Sequence, residues 1–131
     1  MKQLEFEKKL MVMLLAGDDP ILEGLRYQYD HSVVESRKFT GAGFFTHFKI
    51  KNGNIPVANA KSFQITDVGV TLNGVKNAIG VVLFIENGFL SFLEGYTMVL
   101  DFWPEQYSNV VLEYIYEGGK RDLAELKAKW S

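Results

Sequence analysis

Four consecutive residues and one histidine are the best candidates for a functional site. Glu94, Gly95, Tyr96 and Thr97 follow one another, and His47 is one of two histidines in the chain. A carboxyl group in apolar surroundings has a raised pKa and can act as a general acid, while an imidazole can transfer a proton near neutral pH. Glu94 and His47 are therefore the candidate catalytic residues. Gly95, Tyr96 and Thr97 are the candidate ligand-binding residues.

The candidate ionisable residues also have purely structural interpretations. Glu94 could lie at the rim of a sheet or pair with Arg26, Arg37 or a tyrosine hydroxyl, because buried charges are usually paired. His47 lies on the less apolar side of a predicted strand, which predicts partial exposure. His31 follows a predicted helix end, where a cation is favourable and needs no further role.

The sequence lacks the residues and motifs of several common kinds of site. It contains no cysteine, which excludes disulfides and cysteine-ligated zinc. No histidine spacing matches a metal motif, and no P-loop or Gly-x-Ser-x-Gly element occurs. Gly41-Ala42-Gly43 lacks the third glycine of a dinucleotide-binding loop, so it is predicted to join two strands. The sequence therefore predicts neither a metal nor a cofactor.

The segment that carries Glu94 is predicted to be one arm of a tight β-hairpin. Asn87-Gly88 lies between two apolar runs, Ile79 to Glu86 and Phe89 to Met98, and Asn-Gly supplies the positive φ angles of a type I′ turn. A regular ladder from this turn places Glu94 opposite Val81, on a face that is otherwise apolar. We therefore expect Glu94 to be buried, either hydrogen-bonded to a donor or with a raised pKa.

The other side of the predicted hairpin contains two facing glycines. The same ladder pairs Gly80 with Gly95 and Ala78 with Thr97. Glycines that face each other leave a shallow depression, where a ligand or another backbone can approach closely. This depression is the predicted ligand-binding feature of the hairpin.

Segments on both sides of the hairpin predict a single α+β domain over residues 1–131. Leu4 to Leu15 have helical apolar spacing, and so does a second segment that begins at Asp19-Pro20, with Asp19 as the N-cap, and ends between Asp30 and Ser32. The apolar period then changes to two, which is typical of strands. The further predicted strands are Val33–Thr40, Phe44–Ile50, Ser62–Leu72 and Val110–Glu117. We expect a twisted antiparallel sheet of five or six strands after the two helices.

Two local signals complete the predicted architecture. The apolar alternation slips near Asp67, and a β-bulge there would restore the register. Gly118-Gly119 ends the last strand, and Leu123, Leu126 and Trp130 follow at helical spacing. A short C-terminal helix is therefore predicted to pack against the core.

Composition and charge limit the classes of partner. Lys and Arg number 14 and Asp and Glu 16, with no long run of one sign, so a charge-driven nucleic-acid surface is not expected. No segment approaches the roughly 20 apolar residues that span a bilayer. The N-terminal segment does not resemble a signal peptide, because glutamates precede its apolar stretch. We expect a cytoplasmic protein that binds neither nucleic acid nor membrane.

Two stretches of the chain resemble a family of small uncharacterised bacterial proteins. The first contains Phe44-Phe45-Thr46, and the second contains Leu93-Glu94-Gly95-Tyr96-Thr97 and is followed by Trp103-Pro104. The resemblance spans about Leu14 to Pro104. It implies a bacterial cytosolic protein and transfers no activity, ligand or site residue.

Two classes of function are compatible with these observations. A small chain without catalytic motifs favours a non-enzymatic binding or protein-interaction module, including a protective, immunity-type role in which it occupies a partner. A homodimer formed through an aromatic sheet face would suit such a module. The alternative is a small enzyme or small-molecule binder with a pocket near Glu94, Tyr96 and His47. A buried, convergent polar cluster would favour this alternative.

Overall fold

The computed structural model describes residues 1–72, 75, 79–97 and 102–131. The helices in this part of the chain are α1 (Gln3–Leu14), α2 (Pro20–Asp30) and α3 (Leu123–Lys127). The strands are β1 (Ser32–Phe39), β2 (Gly43–Ile50), β3 (Phe63–Ile65), β4 (Val68–Thr71), β5 (Ile79–Glu86), β6 (Phe89–Thr97) and β7 (Val111–Tyr114). The predicted α+β fold class is confirmed. None of the described helices is long and apolar enough to cross a membrane.

The described strands form one twisted antiparallel sheet. Its order is β1-β2-β6-β5-β4-β7, and β3 pairs with another part of β5. The predicted strand Ser62–Leu72 is divided into β3 and β4, so the described sheet has seven strands. The division occurs at Asp67, whose buried carboxylate accepts hydrogen bonds from Arg121. The sequence slip at this position therefore marks a break in the strand and not the predicted bulge.

All three described helices lie on one face of the sheet, which we call the inner face. Each helix contributes a ring contact: Phe6 with Phe44, Tyr29 with Phe48, and Trp130, just after α3, with Phe63. Leu126 and Trp130 are buried, so the predicted packing of the C-terminal helix is confirmed. Asp19 caps α2 as expected, because its carboxylate accepts hydrogen bonds from the first backbone amides of the helix.

The hairpin between β5 and β6 has the predicted tip. Asn87 and Gly88 have φ angles of 53° and 81°, as a type I′ turn requires. The first pairs after the turn, including Ile85 with Leu90, also match the prediction. Met98, the predicted end of the second strand, and Ala78, a predicted pairing residue, lie outside the described residues.

The register predicted beyond Leu90 is wrong. Ser91 is an extra residue in β6, so Phe84 pairs with Phe92 instead of Ser91. A β-bulge of this kind moves every later side chain to the opposite face of the sheet. Glu94 consequently pairs with Val82 and lies on the side away from the helices.

A buried glutamine of α2 completes the hydrogen bonds next to this bulge. The backbone amide of Leu90 donates to Gln28 Oε1 at 2.8 Å, and Gln28 Nε2 donates to the carbonyl oxygens of Gly88 and Ile55, each at 3.0 Å. Leu90 precedes Phe92, which is the first residue of β6 that pairs with β2. Gln28 therefore supplies the acceptor that a neighbouring strand would otherwise provide, and it fixes the hairpin tip to α2.

Candidate interaction surface on the outer sheet face

The face of the sheet opposite the helices, which we call the outer face, carries a cluster of aromatic and charged side chains. Its residues are Lys38 on β1, Phe45 and His47 on β2, Phe92, Glu94 and Tyr96 on β6, and Gly80, Val82 and Phe84 on β5. None of the described helices packs on this side. Lys38 and His47 are exposed, and the other residues are half-buried because they cover one another.

The register places these side chains in rows that cross the strands. One row contains Lys38, Phe45, Glu94 and Val82, and the next contains Ser36, His47, Phe92 and Phe84. Directly opposite residues in antiparallel strands have Cβ atoms about 4.5–5.5 Å apart. Neighbours within a row are therefore close enough to pack together.

Phe92 lies at the centre of an aromatic patch. Its ring stacks on Phe84, with centroids 4.1 Å apart and planes inclined by 15°. The ring of His47 lies 5.0 Å from it, and that of Phe45 lies 6.2 Å away. The patch thus extends across β2, β6 and β5 without interruption.

The predicted depression between two facing glycines does not exist, because the bulge separates them. Gly80 pairs with Tyr96 on the outer face, where a Cβ atom at Gly80 would lie 2.2 Å from Tyr96 Cζ. Gly95 belongs to the inner face, and the rings of Phe44 and Trp103 occupy the space beside it. At each glycine, an aromatic ring of this chain therefore occupies the space that a side chain would fill.

The predicted site residues are divided between the two faces of the sheet. Glu94, Tyr96 and His47 share the outer face, whereas Gly95 and Thr97 belong to the inner face. The backbone amide and the hydroxyl of Thr97 both donate to the carbonyl oxygen of Ala42, at 2.9 and 3.2 Å. Tyr96 and His47 are four residues apart along the paired strands, which corresponds to about 13 Å. The three residues of the outer face therefore do not converge on one point.

Glu94 is only partly buried and pairs with Val82 on the outer face, so the prediction of a buried carboxylate opposite Val81 is wrong. Desolvation by its neighbours raises the pKa of its carboxyl group. No hydrogen bond to this carboxylate occurs within the described part of the chain. Arg26 instead donates to the carbonyl oxygens of Leu15 and Gly17, and Arg37 lies on the inner face. Neither Arg26 nor Arg37 is therefore the predicted partner of Glu94.

Glu7 of α1 has a fully buried carboxylate close to the sheet. The sequence did not identify this residue as a candidate. Arg37 Nε and Nη2 donate to its two oxygens at 2.9 and 2.8 Å. The Thr46 hydroxyl and the Gln3 amide donate to Glu7 Oε2. These hydrogen bonds satisfy the carboxylate, and the bond from Glu7 raises the pKa of Arg37. The cluster joins α1 to β1 and β2, which is a structural role.

A pocket of about 390 Å³ opens beside this cluster. Its walls are Gln3, Phe39, Gly41, Gly43, Trp103, Pro104, Glu105 and Tyr107. The Trp103 indole donates to the Tyr107 hydroxyl at 2.9 Å, and that hydroxyl donates to Gln3. Glu94, Tyr96 and His47 do not line this pocket. It is therefore separate from the predicted small-molecule site.

Neither metal-binding geometry nor similarity to known proteins indicates an activity. Among the described residues, no group of three or more His, Asp or Glu side chains could hold a metal ion. Comparison of the chain with protein-family models, with curated proteins and with solved structures finds no match. The outer face and its chemistry are therefore the basis for assigning a function.

Proposed function

We propose that this protein is a non-enzymatic protein-interaction module that recognises its partner through the outer face of the sheet. The observation that carries this proposal is the aromatic patch around Phe92, on a side where no described helix packs. Large apolar patches on a protein surface commonly mark interaction sites. Aromatic residues are also enriched at the centres of protein interfaces. A bacterial cytoplasmic location is part of the same proposal.

The distribution of polar groups supports an interaction surface over an active site. General acid–base chemistry needs donors and acceptors within hydrogen-bond reach of one reacting position. His47 and Tyr96 are about 13 Å apart along the strands, with Glu94 between them. The buried carboxylates Glu7 and Asp67 are both held by arginines. The ionisable groups on the outer face are thus better placed to orient a partner than to perform a reaction.

Association through a free strand edge is the usual alternative for a sheet protein. The edge strand β1 contains a register shift between Val34 and Ser36, and it carries Glu35 and Lys38. The other described strands with a free edge, β7 and β3, have only four and three residues. Irregularity, charge and shortness all protect strand edges from pairing. The broad outer face is therefore the surface that this architecture favours for contact.

The test replaces Phe92, the central ring, by aspartate. The matched control is Val12→Asp, because Val12 is 69% exposed on α1, away from the outer face. Self-association is measured by sedimentation, and partners from a soluble extract of the native cells are captured, identified and titrated in purified form. We expect Phe92→Asp to weaken the association at least about tenfold and Val12→Asp to leave it unchanged.

Thermal unfolding establishes that each variant is folded, and Phe45→Ser replaces Phe92→Asp if the latter is not. The proposal fails if the wild-type protein, the outer-face variant and Val12→Asp are indistinguishable in both the sedimentation and the capture experiments.

A further inference from the structure

We infer that the partner seated on the outer face is a second copy of this chain, packed face to face about a two-fold axis. This inference rests on the proposed interaction function and identifies the partner. A two-fold contact uses the same patch on both copies, so the patch must be complementary to itself. The arrangement of charges on the outer face meets this condition.

The charged residues at regularly paired positions of the outer face are unevenly distributed, and Glu35 lies in the bulge of β1. Lys38 and Lys49 lie on β1 and β2, whereas Glu94 and Glu86 lie on β6 and β5. Lys38 and Glu94 occupy one row with Phe45 between them, about two strand spacings of 4.8 Å apart. Within the described residues, no ion pair joins them. Neither Lys38 nor Glu94 has an ion-pair partner among the described residues, and a second copy carries the opposite charge for each of them.

A two-fold axis parallel to the strands, between β2 and β6, brings the opposite halves together. The rotation places β1 of one copy over β5 of the other, and β2 over β6. Lys38 of one copy then lies over Val82 of the other, beside Glu94. A lysine can cover an apolar residue with its stem while its ammonium group contacts a carboxylate. The contact occurs twice, once on each side of the axis.

The environment of Glu94 favours such a contact. Its pKa is raised because neighbouring apolar groups desolvate its carboxylate. A cation placed beside the carboxylate offsets this cost by stabilising the charged form. Single-stranded nucleic acid, which also stacks on aromatic sheet faces, is disfavoured because Glu86 and Glu94 would repel its phosphates.

The area of the face agrees with a weak dimer. Four strands of about eight residues present a surface of roughly 500 Å² per copy. Two copies would therefore bury about 1,000 Å² in total, the lower limit for a specific interface. We expect a dissociation constant in the micromolar range.

The decisive experiment uses two charge reversals, Lys38→Glu and Glu94→Lys. Each variant alone has like charges at both contacts of its homodimer, so its dissociation constant should rise about tenfold or more. A mixture of the two variants forms a heterodimer in which both contacts again have opposite charges. Its dissociation constant should return to within about threefold of the wild-type value. Sedimentation at low ionic strength measures all of these constants, because salt screens the contacts.

Lys120→Glu is the matched control, since Lys120 is exposed beyond β7 and its reversal should leave the dimer unchanged. Lys38→Gln and Glu94→Gln replace the reversals if either of them fails to fold. Each should weaken the dimer, and mixing them should recover only part of the loss, because one of the two contacts in the heterodimer again has opposite charges. A wild-type protein that stays monomeric overturns the dimer. The interaction function survives that result if Phe92→Asp abolishes binding to a different protein. A dimer that mixing does not strengthen, with either pair of variants, overturns the two-fold arrangement.

Discussion

The two faces of the sheet differ in how their carboxylates are held. Near the inner face, Glu7 is paired with Arg37, and Asp67 is paired with Arg121, and both carboxylates are almost fully buried. On the outer face, Glu94 is partly desolvated, and no described residue donates a hydrogen bond to it. The inner carboxylates are thus fixed by the fold. The carboxylate of Glu94 is available to another molecule.

The glycines of the hairpin show the same contrast. Gly95 on the inner face is buried against the rings of Phe44 and Trp103, which belong to the packed core. Gly80 on the outer face is covered by Tyr96, which is only half-buried. A half-buried ring can turn away, whereas a ring in the core cannot do so without disturbing its neighbours. Side chains on the outer face should therefore rearrange around a substitution more easily than those on the inner face.

The largest expected effect comes from removing the arginine that compensates Asp67. Arg121 donates to both oxygens of Asp67, at 2.8 and 3.0 Å, and to the carbonyl oxygens of Leu14 and Ala16 at the end of α1. Arg121→Met leaves a buried charge unpaired, so we expect the free energy of unfolding to fall by about 4 kcal/mol. Urea denaturation measures this loss.

Arg26→Met is the control for this substitution, because Arg26 also donates to carbonyl oxygens after α1 but pairs with no carboxylate of the described residues. It should cost about 1 kcal/mol. Equal losses of unfolding free energy for the two variants would mean that the ion pair between Arg121 and Asp67 adds no stability beyond the hydrogen bonds to carbonyl oxygens.

The next effect concerns Gln28, which organises the bulged end of the hairpin. Gln28→Leu leaves the buried amide of Leu90 without its acceptor, and we expect a loss of about 3 kcal/mol in the free energy of unfolding. Amide hydrogen exchange at Leu90 should become faster at the same time. The control is Gln64→Leu on the exposed side of β3, which should change stability by less than about 0.5 kcal/mol. Unchanged exchange at Leu90 would contradict this role.

Features set by neighbouring residues could be predicted from the sequence. Asn87-Gly88 determines its own turn, and Asp19 caps the helix that follows it. The register beyond the turn depends on a partner far away in sequence, because Gln28 and Leu90 are separated by 62 positions. One signal was nevertheless present. Leu90 and Leu93 are both apolar and three residues apart, which puts them on one face only if the strand contains a bulge.

The buried cluster around Glu7 was harder to predict for a different reason. Glu7 precedes Leu10 and Met11 by three and four residues, so it lies within the apolar stripe of α1. A charged residue in such a stripe indicates a buried polar group that needs a partner. The sequence does not show that Arg37 is this partner, because the pairing joins a helix to a strand 30 residues away.

A matched pair of glycine substitutions compares the two faces directly. A Cβ atom at Gly95 would lie 2.4 Å from Phe44 Cε1 and 3.0 Å from Trp103 Cη2, so Gly95→Ala should cost about 2 kcal/mol through overpacking. Gly80→Ala should cost less than about 1 kcal/mol, because Tyr96 can move outward. Thermal or urea unfolding measures both values. A loss for Gly80→Ala as large as that for Gly95→Ala would show that the outer face is packed as rigidly as the inner one.

The smallest expected effect is the change in stability when Glu94 loses its charge. Its dependence on pH distinguishes Glu94 from the inner carboxylates. Burial raises the pKa of Glu94 above its usual value of 4.5, so the folded protein holds this proton more tightly than the unfolded chain. The contribution of Glu94 to stability is therefore fully present below the unfolded-state pKa and is lost as the pH rises through the folded-state pKa. At neutral pH the charged carboxylate destabilises the monomer slightly. Because solvent screens this partly exposed group, Glu94→Gln should raise the free energy of unfolding by no more than about 0.5 kcal/mol at neutral pH and change it little in acid.

Urea unfolding measures this difference at protein concentrations low enough to keep the chain monomeric, because a second copy would stabilise the charged form. Glu117→Gln, in the exposed turn after β7, removes the same charge away from the outer face and serves as the control. If Glu94→Gln instead lowers stability at neutral pH and not in acid, a donor within the chain must hold the carboxylate. Glu94 would then resemble Glu7, and the two faces of the sheet would no longer differ in the way that makes the outer one available to a partner.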